Sequence, residues 1–471
     1  MKSNAFVHLF KTPFNYYMYD VNKNAIVKID KTVFEYLQDT KGEPPHQIIG
    51  LIREGFLSEK RPQRIEHFMT DRLENELNNN VCRMLLQVTK QCNFRCAYCV
   101  YGELAFDSQR HHENDFMTYN IAQKAIDFLA QHSKDQKNIE IGFYGGEPLL
   151  AYPLIKKVIQ YSKNVFKEKN IEYLITTNGS LLTPEIANFL FKNQCKITIS
   201  FDGPPEVHNV TRRLALNGMG SHKIVYQNLK NIIEKIPEAT SQLHINTVID
   251  PRNKYQDIIN YFENDYLVKN IASQRTLIDD RYFIERTALT DDYVIEYEKQ
   301  KFFAILYRFH LCSGALVSKL VSQDLREQLM RLGRQLGSYA ELPDTMAPSG
   351  PCIPGQRRAF ITTQGDIFPC ERVNENSDIF KIGNIETGFD VEKAKVLLNI
   401  GKLTEDDCKN CWVLRHCSLC AGYCDNQGEL SGELKRSYCR RVQMNVEHNM
   451  KLYVLLHEME QRYEKNITVR S

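Results

Sequence analysis

Between Leu85 and Ile278 the sequence switches back and forth between two periodicities, and few folds accommodate that. The runs MLLQVT, IEIGFY, EYLITT, KITISF, LHINTVI and ASQRTLI are short, apolar and rich in β-branched and aromatic residues, as strands are. Between them lie helical stretches: YNIAQKAIDFLAQH, PLIKKVIQYSKNVF, PEIANFLF and IVYQNLKNIIEKI. Repeated strand–helix units predict a parallel sheet with right-handed crossovers. Six of them fit an α/β fold of the open, partial (βα)6 TIM type, with chemistry at the C-terminal ends of the strands.

The flanks read differently. Residues 1–80 open with the β-type runs FVHLF, NYYMYDV and AIVKID, the last two separated by the hairpin signal Asn22-Lys23-Asn24. KTVFEYLQDT and PPHQIIGLIREGFL follow as helical patterns, the second started by Pro44 and Pro45. Together they predict a small winged-helix-like module. The core spans 81–280, a helical bridge 281–345 and a cysteine-rich region 346–445. An amphipathic helix from about Tyr438 to Glu464 closes the chain, with 446–471 as the C-terminal helix.

Composition narrows the function. The net charge is +2, and residues 1–80 hold 11 Lys+Arg against 11 Asp+Glu. Nucleic-acid binding needs a basic footprint, so no nucleic acid is expected. No window approaches the ~20 apolar residues of a membrane span, and the N-terminal stretch lacks a signal-peptide pattern. The expectation is a cytoplasmic protein without a membrane partner. Its 14 cysteines then favour metal ligation over disulfides. Only Cys82, Cys195 and Cys312 stand apart from the others, as small hydrophobes do.

Cys92, Cys96 and Cys99 directly follow the first strand in the stretch QCNFRCAYC. A structural zinc closes with four ligands; a four-iron cluster on three thiolates keeps one iron open for a small chelator. The spacing, with Tyr98 before the last cysteine, resembles the radical S-adenosylmethionine superfamily. The resemblance implies that the open iron binds the amino and carboxylate groups of S-adenosylmethionine. It continues at successive strand ends. Gly145-Gly146-Glu147-Pro148 matches the family's GGE motif, with Glu147 or a nearby carbonyl on the methionine ammonium. Thr176-Thr177-Asn178-Gly179 follows the third strand, and Ser200-Phe201-Asp202-Gly203 stands where relatives contact the ribose and the methionyl carboxylate. Arg212 or Arg213 and Asn246 are further contacts on the same reading. Singly, each stretch could be a turn or a cap.

A second group comprises Cys352, Cys370, Cys408, Cys411, Cys417, Cys420, Cys424 and Cys439. It resembles the SPASM extension, which carries two auxiliary four-iron clusters; a pair of zinc ribbons is the plainer alternative. The resemblance gives Cys408, Cys411, Cys417 and Cys439 to the distal cluster. Cys352, Cys370 and one of Cys420 or Cys424 go to the cluster nearer the core. Two residues, rather than the usual three, separate Cys417 from the next cysteine, so the spare either closes the near cluster or leaves an iron open to a substrate thiolate. Glu371, after Cys370, stands where sulfatase-maturing relatives place a base; a structural ion pair is the plainer role.

The N-terminal module resembles the precursor-recognition element (RRE) of enzymes that modify ribosomally made peptides. There a leader peptide adds a strand to a sheet edge, here Ala25 to Asp30. With PCIPGQRRAFIT, PCERV and CKNCW, the chain is similar to thioether-forming maturases of six-cysteine and CxxxD/E-repeat precursors. The resemblance implies three [4Fe–4S] clusters, consumption of S-adenosylmethionine, a cysteine-containing precursor, and an electron donor such as flavodoxin or ferredoxin. Carbon–carbon crosslinking or formylglycine formation in a sulfatase would need much the same parts. A zinc-stabilised binding protein is the non-enzyme alternative. Trp412, inside the cysteine region, is read as packing.

Overall fold

The six expected parallel strands form and lie side by side in chain order: Arg83–Thr89, Asn138–Gly145, Asn170–Thr177, Cys195–Ser200, Leu243–Ile249 and Ala272–Leu277. All neighbouring pairs are parallel. The computed structural model describes residues 4–39, 43–102, 110–283, 285, 287–337 and 341–468, with side chains to 462. The crossover helices start where their sequences say. Thr118 and Thr183 cap Tyr119–His132 and Pro184–Lys192 by accepting from Ile121 N and Ile186 N, and Pro184 takes the first helical position. Leu86, Val88, Ile141, Phe143, Ile175, Ile197 and Ile245 are buried on the sheet against these helices.

The sheet does not end at the expected core boundary. Ala359–Ile361 pairs parallel to Arg83–Thr89 on its free side, and Asp366–Phe368, Gly383–Asn384 and Gly388–Phe389 continue antiparallel, giving ten strands. The cysteine-rich region is thus built onto the edge of the core. At the second join, Thr345–Met346 pairs with Arg64–Ile65.

The N-terminal residues form the antiparallel sheet Val7–Lys11, Tyr16–Asp20, Ala25–Ile29. Its tight turn places Asn24 at φ +50°, a conformation asparagine tolerates. One face packs on the helices Lys31–Gln38 and His46–Arg53. The other packs on the C-terminal helix through Phe10, Tyr17, Met450 and Val454. That helix runs Gly432–Thr468, starting earlier than the sequence pattern suggested because Ser431 Oγ accepts from Leu434 N (3.1 Å). Cys439 therefore sits inside it. Trp412 packs as expected, stacked on His8 at 3.6 Å.

Candidate active site

The loop after the first strand is held at both ends. Thr89 Oγ1 donates to Asp115 O (2.8 Å) and accepts from Gln91 N (3.0 Å). The chain then crosses the end of the second strand, where Gly146 N donates to Thr89 O and Glu147 N to Gln91 O, each at 2.9 Å. A Cβ on Gly145 would strike the Thr89 carbonyl oxygen, and one on Gly146 that of Gln91; Gly145 also sits at φ +137°. These glycines let two strand-end loops lie in contact, and so fix where Cys92 begins.

Phe94–Cys96 forms a short antiparallel pair with Arg212–Leu214, Cys96 opposite Arg212. Phe94 N donates to Cys92 Sγ (3.4 Å) and Tyr101 N to Cys99 Sγ (3.5 Å), bonds that favour thiolate. Burial pushes the Cys92 thiol up to about 12, with Glu147 adding to it. Burial also raises Cys96 and Cys99, each offset in part by Arg212. Cys96 feels the charge of both Cys92 and Cys99, so the three sulfurs form one neighbourhood. Thiols this buried ionise together only against strong positive charge, which iron supplies.

Around them the expected contacts are engaged with one another. Arg212 Nε donates to Asp202 Oδ2 (2.8 Å), its Nη1 reaches Cys96 Sγ (4.0 Å), and its guanidinium lies over the Tyr98 ring at 5.3 Å. The Tyr98 hydroxyl also donates to Asp202, whose other oxygen accepts from Val248 N (3.0 Å). Glu147, fully buried, accepts from Thr177 Oγ1 (2.6 Å), Leu149 N (3.0 Å) and Asn178 N (2.7 Å). Desolvation is the largest influence on Glu147 and raises its pKa against those bonds. Asn178 Nδ2 donates to Asn93 Oδ1 (2.8 Å) and approaches Cys92 Sγ (3.9 Å). Ser200 is half-buried at the end of its strand. Asn246 Oδ1 accepts from Thr276 Oγ1 (2.8 Å), and Arg213 Nε donates to Val210 O (3.4 Å). The Asn93 bridge and the joint role of Tyr98, Asp202 and Arg212 were not read from the sequence, although Asn93 directly follows Cys92.

The C-terminal cysteines fall into two neighbourhoods. Cys411, Cys417 and Cys439 each feel the charge of Cys408. Cys370 feels Cys420 and Cys352. Cys424 is fully buried and feels Cys420, Cys417 and Cys439, members of both neighbourhoods. Burial is the first cause of the raised thiols throughout, up to about 12 for Cys370 and Cys424 and about 11 for Cys417. Among the described residues no three His, Cys, Asp or Glu side chains are set to hold a single metal ion; a four-iron cluster spaces its thiolates by its own width.

A buried network joins the core to this region. Arg110 Nε pairs with Glu375 (2.8 Å) and its Nη2 donates to Glu371 O (2.8 Å). Gln87, on the first strand, donates to Glu375 as well (2.8 Å). Arg110 left no sequence signal, since its partner lies 265 residues away. Glu371 Oε1 accepts from Arg358 Nη1 (2.7 Å), while Oε2 is buried without a partner. Tyr144, at the end of the second strand, feels both Cys99 and Glu371.

Residues 86–263 match the family model of the radical SAM superfamily. That stretch is similar to radical SAM domains. It is 26% identical over 361 residues to the radical SAM cyclopropyl synthase TigE of Paramaledivibacter caminithermalis, covering 74% of this chain and 69% of that one. It is 22% identical over 363 residues to a cysteine-type anaerobic sulfatase-maturating enzyme of Clostridium perfringens, covering 74% and 90%. The solved structure of native anSMEcpe with bound AdoMet and Cp18Cys peptide superposes with a TM-score of 0.55 at 19% identity, over 79% of this chain and 99% of that one. The mixed α/β sheet is thus shared. A radical SAM domain implies a [4Fe–4S] cluster and S-adenosylmethionine, and the three clustered thiols at Cys92, Cys96 and Cys99 suit such a cluster. Among the described residues no helix is long and apolar enough to cross a membrane.

Proposed function

We propose that this chain modifies a ribosomally made peptide, joining a cysteine sulfur to a carbon of an acceptor residue as a thioether. One observation carries the reading: a second cysteine set, Cys352, Cys370 and Cys420, is linked to the first by Arg110, which lies over the ring of Tyr101 beside Cys99 and donates to Glu371 O next to Cys370. On this reading the SPASM-type sets hold two auxiliary clusters, three in all. With its cluster and S-adenosylmethionine bound, the first site supplies a 5′-deoxyadenosyl group that takes a hydrogen atom from the acceptor carbon. The chain's own residues do the rest. Tyr98, Asp202 and Arg212 fix Cys96, and Glu147, Thr177 and Asn178 form the Cys92 side. Forming the carbon–sulfur bond releases one hydrogen atom, one proton and one electron. The unpartnered Glu371 Oε2 is the base placed to take the proton, and Cys352, Cys370 and Cys420 would hold a cluster able to accept the electron.

The N-terminal sheet supports a peptide substrate. Ala25–Ile29 pairs only with Tyr16–Asp20 among the described residues, leaving an edge for a leader strand. The opposite edge, Val7–Lys11, borders a groove of about 460 Å³ walled by Phe34, Glu35, Glu447 and Lys451, and is a second candidate for the leader.

Incubating the anaerobically reconstituted protein with S-adenosylmethionine, a reductant and a cysteine-rich precursor encoded beside it tests this. Loss of two hydrogens per crosslink, with the cysteine no longer alkylatable, is expected. Glu371→Gln should lower crosslinking by at least about a hundredfold while 5′-deoxyadenosine still forms. Loss of two hydrogens with every cysteine still alkylatable would replace the thioether by a carbon–carbon crosslink.

A further inference from the structure

Lys435 is the most unusual charge in the C-terminal region. It lies on the first turn of the C-terminal helix, one turn before Cys439, with 1% of its surface exposed. Its Nζ donates to Thr404 Oγ1 (2.5 Å) and Cys408 Sγ (3.2 Å). Among the described residues no carboxylate pairs with it. An ammonium is among the costliest groups to bury, and proteins keep one there when opposite charge compensates it. A hydroxyl dipole is a weak substitute for that charge.

The missing charge is at hand if the cysteines ligate iron. Four thiolates on an oxidised [4Fe–4S] core leave a net charge of minus two, and reduction adds another. The ammonium also acts favourably on Cys411, Cys417, Cys439 and the neighbouring Cys424, so it faces the distal set and Cys424 together. In dry surroundings such a fixed charge acts strongly, and it favours the state carrying the extra electron. The near set has a different surround: Arg358 and Arg372, 36% and 67% exposed, share the carboxylate of Glu371.

We propose that Lys435 is the internal counter-ion of the cluster held by Cys408, Cys411, Cys417 and Cys439, and that it raises that cluster's reduction potential. This rests on the reading that those cysteines hold a cluster, which iron and sulfide content in Cys408→Ala tests separately. The deciding experiment is a redox titration of the reconstituted full chain followed by electron paramagnetic resonance, on wild type, Lys435→Met and Lys435→Arg. In Lys435→Met one resolved component should become at least about tenfold harder to reduce, a shift of about 59 mV for one electron. The others should not move, and Lys435→Arg should restore most of the difference. With iron content intact, no shift overturns the proposal, and so does an equal shift of every component. If Lys435→Met loses one cluster's iron and Lys435→Arg keeps it, charge compensation is upheld; if both lose it, Lys435 acts through shape and the proposal fails.

Discussion

Asp202→Asn is the change that most directly tests how the protein fixes Cys96. The substitution keeps the shape of the side chain and removes its charge. Arg212 and Asp202 are 7% and 2% exposed, so the guanidinium would be left without a counter-charge in a dry site. Breaking a buried pair by removing one partner costs about 3–5 kcal/mol. The Tyr98 hydroxyl loses its carboxylate acceptor in the same step. The loss falls on the ladder between Arg212–Leu214 and Phe94–Cys96. A local loss of 3 kcal/mol corresponds to somewhat over a hundredfold faster opening-limited amide exchange, at about 1.4 kcal/mol per tenfold. The assay is hydrogen exchange by mass spectrometry on peptides covering residues 93–99 and 208–214, with the Tyr119–His132 helix as the internal reference. Pairing the change with Arg212→Met, which removes the orphaned charge, should recover most of the protection. Exchange within about threefold of wild type, or a double variant no better than the single, would refute the electrostatic account.

Other expectations follow from the same geometry. Gly146→Ala drives a methyl into the Gln91 carbonyl, so on the proposed three-cluster reading the reconstituted variant should lose about four of about twelve irons per chain; full retention would show the two loops can separate. Cys424→Ala should keep about twelve irons, because Cys420 is the cysteine near Cys352 and Cys370; a loss of iron would make Cys424 a ligand. His208 is fully buried, and burial, then Arg212 and His222, push its pKa down to about 2. It accepts from Asp202 N (3.3 Å) and pairs with Ser221 Oγ (3.0 Å). The folded state keeps it neutral while the unfolded chain protonates near pH 6.5. Its contribution is therefore whole above that pH and declines by about 1.4 kcal/mol per unit below it. Urea midpoints at pH 7 and 5.5 should fall less in His208→Gln than in wild type; equal falls would mean His208 does not titrate this way.

What could be read from the sequence was what is local. Six strands, their helices and the first cysteine set announce themselves within windows of a few residues, because period, caps and ligand spacing are local properties. Pairings across the chain were invisible. Nothing near Ala359 says that it will extend the sheet beside Met84, since three apolar residues also suit a loop core. Asp202 and Arg212 each stand out in the sequence, yet as separate cofactor contacts, because charge complementarity across 10 residues looks the same as two exposed groups until the turn between them is known. Lys435 reads as one more basic residue on a surface helix. Only the fold shows that its helix face is covered by Thr404 and Cys408.

The pairing of Ala359–Ile361 with the first strand of the sheet has a consequence for how the chain is made. The edge offered by Leu85 and Leu86 emerges from the ribosome early, and its partners Phe360 and Ile361 are 275 residues behind. At roughly 5–20 residues per second, that edge waits between about a quarter of a minute and a minute for its own strand. An apolar, unpaired strand edge invites pairing with another chain. The nascent protein is therefore most vulnerable to aggregation in that interval, and truncations ending before Ala359 should precipitate even when all of residues 86–263, which match the radical SAM model, are present.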